Sequence, residues 1–313
     1  MARPFEEIRN EMIQLYTQGD YRKVLDILER ESPHYPDEAW DTYYFRLCMA
    51  ALLDDSTKAL GYLKEALGQG YWYPVNMLRE DTDLKSLQGL PEYEQLIGRS
   101  RQRGEEEQAR AVPTRLTLKP ERLETPPPLL IALHGNGRNA ENTAPYWRPA
   151  TENGCAVVLP QSSQVGGHEA FVWNDRAWGI REVRRHAAEA ASELNADPAR
   201  MFIGGFSMGG GLAAWMALTG EVDVQGFISV GPYLADIGEL RRTLAERKPP
   251  RLRGYIVIGD ADNHCYKVSQ GIATLMKEHG LECEVEVHPG MGHVYPENFD
   301  ESLRKATRFI LGG

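Results

Sequence analysis

The stretch Gly204-Gly205-Phe206-Ser207-Met208-Gly209-Gly210-Gly211 (GGFSMGGG) follows the apolar run Met201 to Ile203 and leads into Leu212-Ala213-Ala214-Trp215. Glycine is the poorest ordinary helix former and weakens a strand, so propensity favours neither structure this stretch could join. A sharp strand-to-helix turn accounts for the composition. Residues 205–209 fit G-x-S-x-G, in which the serine holds a strained backbone and the residues two places to either side must lack bulk. Such a turn lifts the Ser207 hydroxyl above a sheet and sets it at a helix N-terminus, where unpaired backbone N–H groups can stabilise an oxyanion. The competing readings are a Gly-rich turn of structural use only and a phosphate cradle. No Gly-Lys-Ser/Thr follows and G-x-G-x-x-G is absent, which weakens the cradle. The turn explains Gly205 and Gly209. Gly204 reads as a close approach of the strand to a neighbour, while Gly210 and Gly211 exceed what the turn requires.

Working outward, strand and helix patterns alternate. The apolar runs 129–135 (LLIALHG), 155–161 (CAVVLPQ), 201–206, 224–232 (VQGFISVGP) and 251–262 (RLRGYIVIGDAD) read as strands, and 281–290 (LECEVEVHPG) as a strand with edge-like alternation. Helices are expected over 177–194, from Ser207 onward, over 266–280 and over 297–311. This pattern predicts an α/β fold with a mostly parallel sheet covered on both faces, and sites in such sheets lie beyond the carboxyl ends of the strands.

Three further clusters end predicted strands. His134-Gly135-Asn136-Gly137 follows the first; His134 reads as a structural histidine that hydrogen-bonds the loop. Gly259-Asp260-Ala261-Asp262 ends another, with Asp262 the candidate acid and Asp260 its rival; either could instead be a turn residue capping the next element. His293 lies in a Gly-flanked loop before the last helix. His288, in the tail of a strand, reads as packing or a loop hydrogen bond, and His264 lies close to the acid in sequence.

In the order Ser207, Asp262, His293, with spacings of 55 and 31 residues, residues from about 115 to 313 resemble a small α/β-hydrolase. Within that family the resemblance is to the phospholipase/carboxylesterase and dienelactone-hydrolase-like esterases. The resemblance implies a serine esterase cleaving carboxylic esters through an acyl-enzyme. Ser207 would be the nucleophile, His293 the base, Asp262 its orienting acid, and the backbone N–H groups of Asn136 and Met208 the oxyanion donors. It implies no cofactor and no metal. Thioester or peptide hydrolysis by the same three residues is the alternative, as is a binding protein with an idle hydrolase part. Dienelactone hydrolases proper carry Cys at the elbow, so Ser207 points to ester chemistry. The 55-residue interval from Ser207 to Asp262 already holds a strand and a helix and leaves no room for a large lid. Aromatic residues expected in loops, Tyr146 and Trp147, Phe171, Trp173 and Trp178, could form substrate walls or ordinary packing, with Trp147, Trp173 and Tyr295 the substrate-contact candidates.

The N-terminal part has a different plan. Ile8, Met12 and Leu15 share a helix face, and a second amphipathic helix passes through Val24, Leu25 and Leu28. At an offset of 35, Asp20 aligns with Asp55, Leu25 with Leu60 and Leu28 with Leu63. Residues 4–70 thus resemble two tetratricopeptide-like repeats, followed by a capping segment over 71–97; such repeats bind peptides, proteins or copies of themselves, or else pack as an appendage. Tyr71 to Tyr73 offer an aromatic surface. The charged stretch 99–113 reads as a linker or solvated helix end, and 119–128 (KPERLETPPP) as a second connecting segment.

Composition agrees with two folded parts. The chain has 313 residues, 42% hydrophobic and 26% charged, enough for two domains, drawn here at 1–105 (helical) and 106–313 (catalytic). A net charge of −10 disfavours nucleic acid as a partner. No signal-like segment opens the chain and no apolar run reaches the length of a membrane span. The four cysteines contain no CxxC pair, and His168-Glu169 lacks the second histidine of HExxH; the cysteines read as reduced thiols in a cytoplasm.

Overall fold

A computed structural model describes residues 3–122 and 126–312, and the chain divides into two units, Met1–Arg110 and Ala111–Gly313. The first unit is all-α: α1 (Phe5–Thr17), α2 (Tyr21–Glu31), α3 (Ala39–Leu52), α4 (Ser56–Gln69), α5 (Val75–Glu80) and α6 (Pro91–Arg110). Helices α1 to α4 pack in succession. The sequence offset has a structural counterpart. Asp20 and Asp55 are the N-cap residues of α2 and α4, and the Asp55 carboxylate accepts the Lys58 N–H at 3.0 Å. Leu25, Leu28, Leu60 and Leu63 are all buried. The charged stretch at 99–110 is the second half of α6, whose first half buries Tyr93, Leu96 and Ile97. Trp72 and Tyr73 are not the surface the sequence suggested. Both are buried, and the Tyr73 hydroxyl donates to the Trp40 carbonyl at 2.9 Å.

The second unit runs β1 (Thr114–Leu118), β2 (Leu129–Leu133), α7 (Ala140–Trp147), β3 (Ala156–Gln161), β4 (Val165–Gly167), β5 (Ala170–Phe171), α8 (Arg176–Leu194), β6 (Met201–Phe206), α9 (Met208–Leu218), β7 (Gly226–Val230), α10 (Ile237–Glu246), β8 (Arg253–Gly259), α11 (Asn263–Glu278), β9 (Glu282–His288) and α12 (Phe299–Leu311). Seven strands form one sheet in the order β1-β3-β2-β6-β7-β8-β9; every pairing is parallel except β1 on β3. Strands β4 and β5 form a small hairpin outside it.

Strand β2 shows why the sheet is covered on both sides. Leu129, Ile131 and Leu133 join a core with α8, α9 and α11, while Leu130 and Ala132 join another with α7 and α12. A strand buried on both faces has no polar side to alternate, hence the unbroken apolar run. From β2 the chain steps outward to β3; after α8 it returns to β6 and steps the other way. The carboxyl ends of β2 and β6 therefore flank the point where the winding reverses, the place such sheets use for ligands.

Five elements of this unit were not read from the sequence: β1, α7, the short strands β4 and β5, and α10. Strand β1 is a half-exposed edge whose short alternating pattern is weak. Helix α7 contains Pro145, which disguises it, but its start is secured by reciprocal bonds between Asn139 and Asn142. Tyr146 and Trp147 consequently sit on a helix and not in a loop. Part of the connecting segment, residues 123–125, lies outside the described residues. Among the described residues, no helix is long and apolar enough to cross a membrane.

Candidate active site

Ser207 joins β6 to α9 with φ 55° and ψ −121°. A β-carbon makes positive φ costly, so the conformation must be imposed by its surroundings. Three backbone hydrogen bonds impose it. The Ser207 N–H donates to the Val230 carbonyl, and the Ser207 carbonyl accepts from the Gly211 and Tyr233 N–H groups, each at 2.9 Å. The surrounding glycines are required by backbone crowding. A Cβ at 205 would lie 2.5 Å from the Gly209 carbonyl, one at 209 would lie 2.3 Å from the His134 carbonyl oxygen, and one at 211 would lie 1.9 Å from that of Tyr233. At 204 the obstacle is the Trp147 indole, 2.7 Å away. The two glycines that the turn motif left unexplained, 210 and 211, thus seat α9 against the ends of β6 and β7.

Asp262 and His293 follow the carboxyl ends of β8 and β9. His293 Nε2 is 2.8 Å from Ser207 Oγ, and His293 Nδ1 is 2.5 Å from Asp262 Oδ2. The other Asp262 oxygen accepts the Cys265 N–H at 3.3 Å, so the same carboxylate caps α11. Asp260 has a different partner: its carboxylate accepts the Gly290 N–H at 2.6 Å and pins the turn after β9. The Ala261 N–H donates to the Met291 carbonyl at 3.1 Å, holding the two loops together. Beneath them lies Gly231, φ 50°, where a Cβ would sit 3.4 Å from the His293 ring. His288 lies beside Glu286, at 3.3 Å, and His264 packs on Tyr233; neither reaches Ser207.

Asn136 lies in the turn after β2, and Met208 is the first residue of α9, where a backbone N–H has no place in the intrahelical ladder. Gly135 brings the two segments together, since a Cβ there would lie 3.5 Å from Ser207 Cβ. His134 holds this turn from within. It is fully buried, its Nδ1 is 2.9 Å from the Gly135 carbonyl oxygen, and its Nε2 accepts the Ser162 N–H at 3.2 Å. The assigned tautomer thus carries its proton on Nδ1. Burial lowers the His134 pKa to about 4, so the ring is neutral at pH 7.

This makes a prediction for acid stability. The unfolded chain protonates His134 near pH 6.5 and the folded chain only near 4, so its contribution is complete above 6.5 and declines as pH falls toward 4. The loss amounts to about 3 kcal/mol. Urea denaturation between pH 7 and 4.5 should show a shallower pH dependence in His134→Gln than in the wild type.

The aromatic residues divide. Trp173 is buried, donates its indole N–H to the His134 carbonyl at 2.9 Å and stacks on the His134 ring, so it supports the turn. Trp147 is fully buried under β6 and donates to the Tyr295 hydroxyl at 3.1 Å. Neither is a wall of the site, because the indoles that the sequence placed on the rim fill the two faces of the sheet instead. Tyr295 does border the site. A cavity of about 70 Å³ beside His293 is lined by Gly135, Thr143, Tyr146, Phe206 and Tyr295 among others. Tyr146 and Tyr295 stack at 3.9 Å, and Phe206 stacks on Tyr295 at 4.6 Å. Phe206 was missed as a lining residue; its place next to the serine in G-x-S-x-G was the available signal.

Asp262, Cys265 and His293 could offer one ligand atom each to a metal ion, and Cys48, Asp81 and Asp83 form a second such group in the helical unit. Burial pushes the Cys265 thiol up to about 12, so it stays protonated, and Asp262 and His293 direct their facing atoms at each other.

Comparison with known proteins agrees with this architecture. Residues 5–110 match a family described as "A/B hydrolase-like, N-terminal domain", and residues 169–308 match the "Dienelactone hydrolase family". An uncharacterized protein from Bacillus cereus of known structure is 29% identical, with a TM-score of 0.54, over 98% of this chain and 99% of that one. A carboxylesterase from the same species is 18% identical with a TM-score of 0.50, covering 66% of this chain and 97% of its own. Acyl-protein thioesterase 1 from Neurospora crassa is 34% identical over 111 residues, which is 34% of this chain and 43% of that protein; the match spans less than half of that curated relative. The unit from 111 to 313 has an α/β-hydrolase-like fold, and an all-α unit precedes it in the chain.

Proposed function

We propose that this chain hydrolyses carboxylic esters through an acyl-enzyme on Ser207. The observation that carries the reading is the hydrogen-bonded line from Ser207 Oγ through His293 to Asp262, built on a serine with φ 55°. His293 Nε2 takes the hydroxyl proton as Oγ attacks the ester carbonyl. Asp262 orients the imidazole and stabilises its cationic form. The N–H groups of Asn136 and Met208 receive the developing oxyanion. His293 returns the proton to the leaving alcohol, and water then releases the acid by the same steps in reverse. A fluorophosphonate probe tests the mechanism directly: mass spectrometry should find one adduct, on the peptide carrying Ser207. An unlabelled full-length protein would be an idle hydrolase, and the reading would fall.

The acyl-protein thioesterase likeness favours a second reading, thioester cleavage by the same groups. Rates on matched acetyl, butyryl and octanoyl oxygen esters and thioesters separate the two. The small cavity beside His293 leads us to expect short acyl groups. Tyr146 is 40% exposed and covers Tyr295. Tyr146→Ala should therefore raise kcat/KM on the butyryl relative to the acetyl ester by about tenfold, the value of one or two extra methylenes in an apolar pocket. The four described cysteines are free thiols, which fits the cytoplasmic location we also propose.

A further inference from the structure

A second cavity, away from Ser207, is lined by residues of the helical unit. It has a volume of about 330 Å³, within the range of small-molecule sites. Met12, Val24, Phe45 and Met49 supply an apolar wall from α1, α2 and α3. Asp81 and Asp83 stand at its border, both half-buried. Tyrosine hydroxyls hold these carboxylates in place. Tyr44 donates to Asp81 at 2.7 Å, and Tyr16 lies 3.0 Å from both Asp83 oxygens. The Asp83 N–H also donates to Asp81, at 2.9 Å.

We propose that this cavity binds a small organic cation: an ammonium or guanidinium group carrying an apolar body. Charge complementarity chooses the occupant. Among the described residues neither carboxylate is in an ion pair, although each keeps lone pairs that a charged donor could use. Arg9 also borders the cavity, so two carboxylates face one resident cation. The rings of Tyr16, Tyr44 and Phe45 add faces on which a cation is attracted by the aromatic quadrupole. The apolar wall takes the body of the ligand, and an anion of the same shape would meet two negative groups. Neighbouring Cys48, Asp81 and Asp83 could instead hold a divalent metal ion, and the experiment tells the two apart.

The site is independent of the hydrolase reading and is tested without an activity assay. Full-length protein labelled with 13C at the methionine methyls is titrated with 4-phenylbutylamine, the matched alcohol 4-phenylbutanol, the matched acid 5-phenylpentanoic acid, and zinc. The amine should shift the Met12 and Met49 signals and bind at least about tenfold more tightly than the alcohol, as a charged hydrogen bond requires. The acid should not bind. Asp83→Asn keeps the shape and should reduce the amine to the affinity of the alcohol, while Asp83→Glu should restore the preference. Equal binding of amine and alcohol would make the cavity merely apolar and overturn the proposal. So would a response to zinc but not to the amine, or no shift of either methionine. Should Asp83→Asn fail to fold, the amine-against-alcohol ratio on the wild-type protein decides the matter alone.

Discussion

Ser207→Ala should lower kcat on p-nitrophenyl acetate by about 10⁵-fold or more while leaving the fold intact. Alanine deletes only the hydroxyl; the backbone bonds that hold position 207 come from its own N–H and carbonyl. His293→Ala should cost about as much, and the double variant hardly more, because groups that act as one unit are not additive. What activity remains would come from the Asn136 and Met208 N–H groups, which neither substitution touches. Ser207→Gly separates catalysis from strain. Glycine accepts a φ of 55° without penalty, so this variant should be equally inactive and yet more stable than Ser207→Ala by about 1–3 kcal/mol. Equal melting of the two would mean that the turn stores no strain at this residue. Full activity of Ser207→Ala would end the acyl-enzyme reading.

Gly211→Ala should destabilise the protein by about 3 kcal/mol and abolish most activity. The added methyl would sit 1.9 Å from the Tyr233 carbonyl oxygen and 2.8 Å from its carbon. Both are backbone atoms, so no rotamer change relieves the clash; either α9 or the segment after β7 must move. That segment gives the Tyr233 N–H to the Ser207 carbonyl and carries Gly231, which lies under His293. Displacing it disturbs the serine and the histidine together. Gly61→Ala is the contrasting control. It is an exposed position on the outer face of α4 with open space around it, and alanine there should add about 0.5–1 kcal/mol of stability. Denaturant midpoints on the three proteins test the pair, and a Gly211→Ala variant as stable as the wild type would refute the close-packing account.

Much of this unit was legible because its signals are local. Apolar runs bounded by Gly and Asp announce buried strands whatever lies beside them, and a glycine two places either side of Ser207 announces a crowded turn. Features that depend on distant partners were not legible. Trp147 reads as a rim aromatic until the sheet brings Gly204 against its indole. Asp262 was preferred over its rival Asp260 from the sequence, and the physical difference between them appears only when Asp260 meets the Gly290 N–H and Asp262 the His293 ring. Helix α7 was hidden by Pro145 and edge strand β1 lacked a strong periodic signal, whereas α10 carries Ile237, Leu240 and Leu244 at helical spacing and was legible but not read.

The amino-acid sequence by itself determined the alternation of strands and helices, the sharp turn at Ser207 and the order of the serine, acid and histidine. These follow from backbone sterics and hydrophobic period, which act over a few residues. Tertiary structure alone decided what Asp260 does instead, which aromatic residues reach the cavity, and why Gly210 and Gly211 lack side chains. Those answers depend mostly on contacts between segments far apart in sequence, brought together only when parallel strands β6, β7, β8 and β9 place their carboxyl ends side by side.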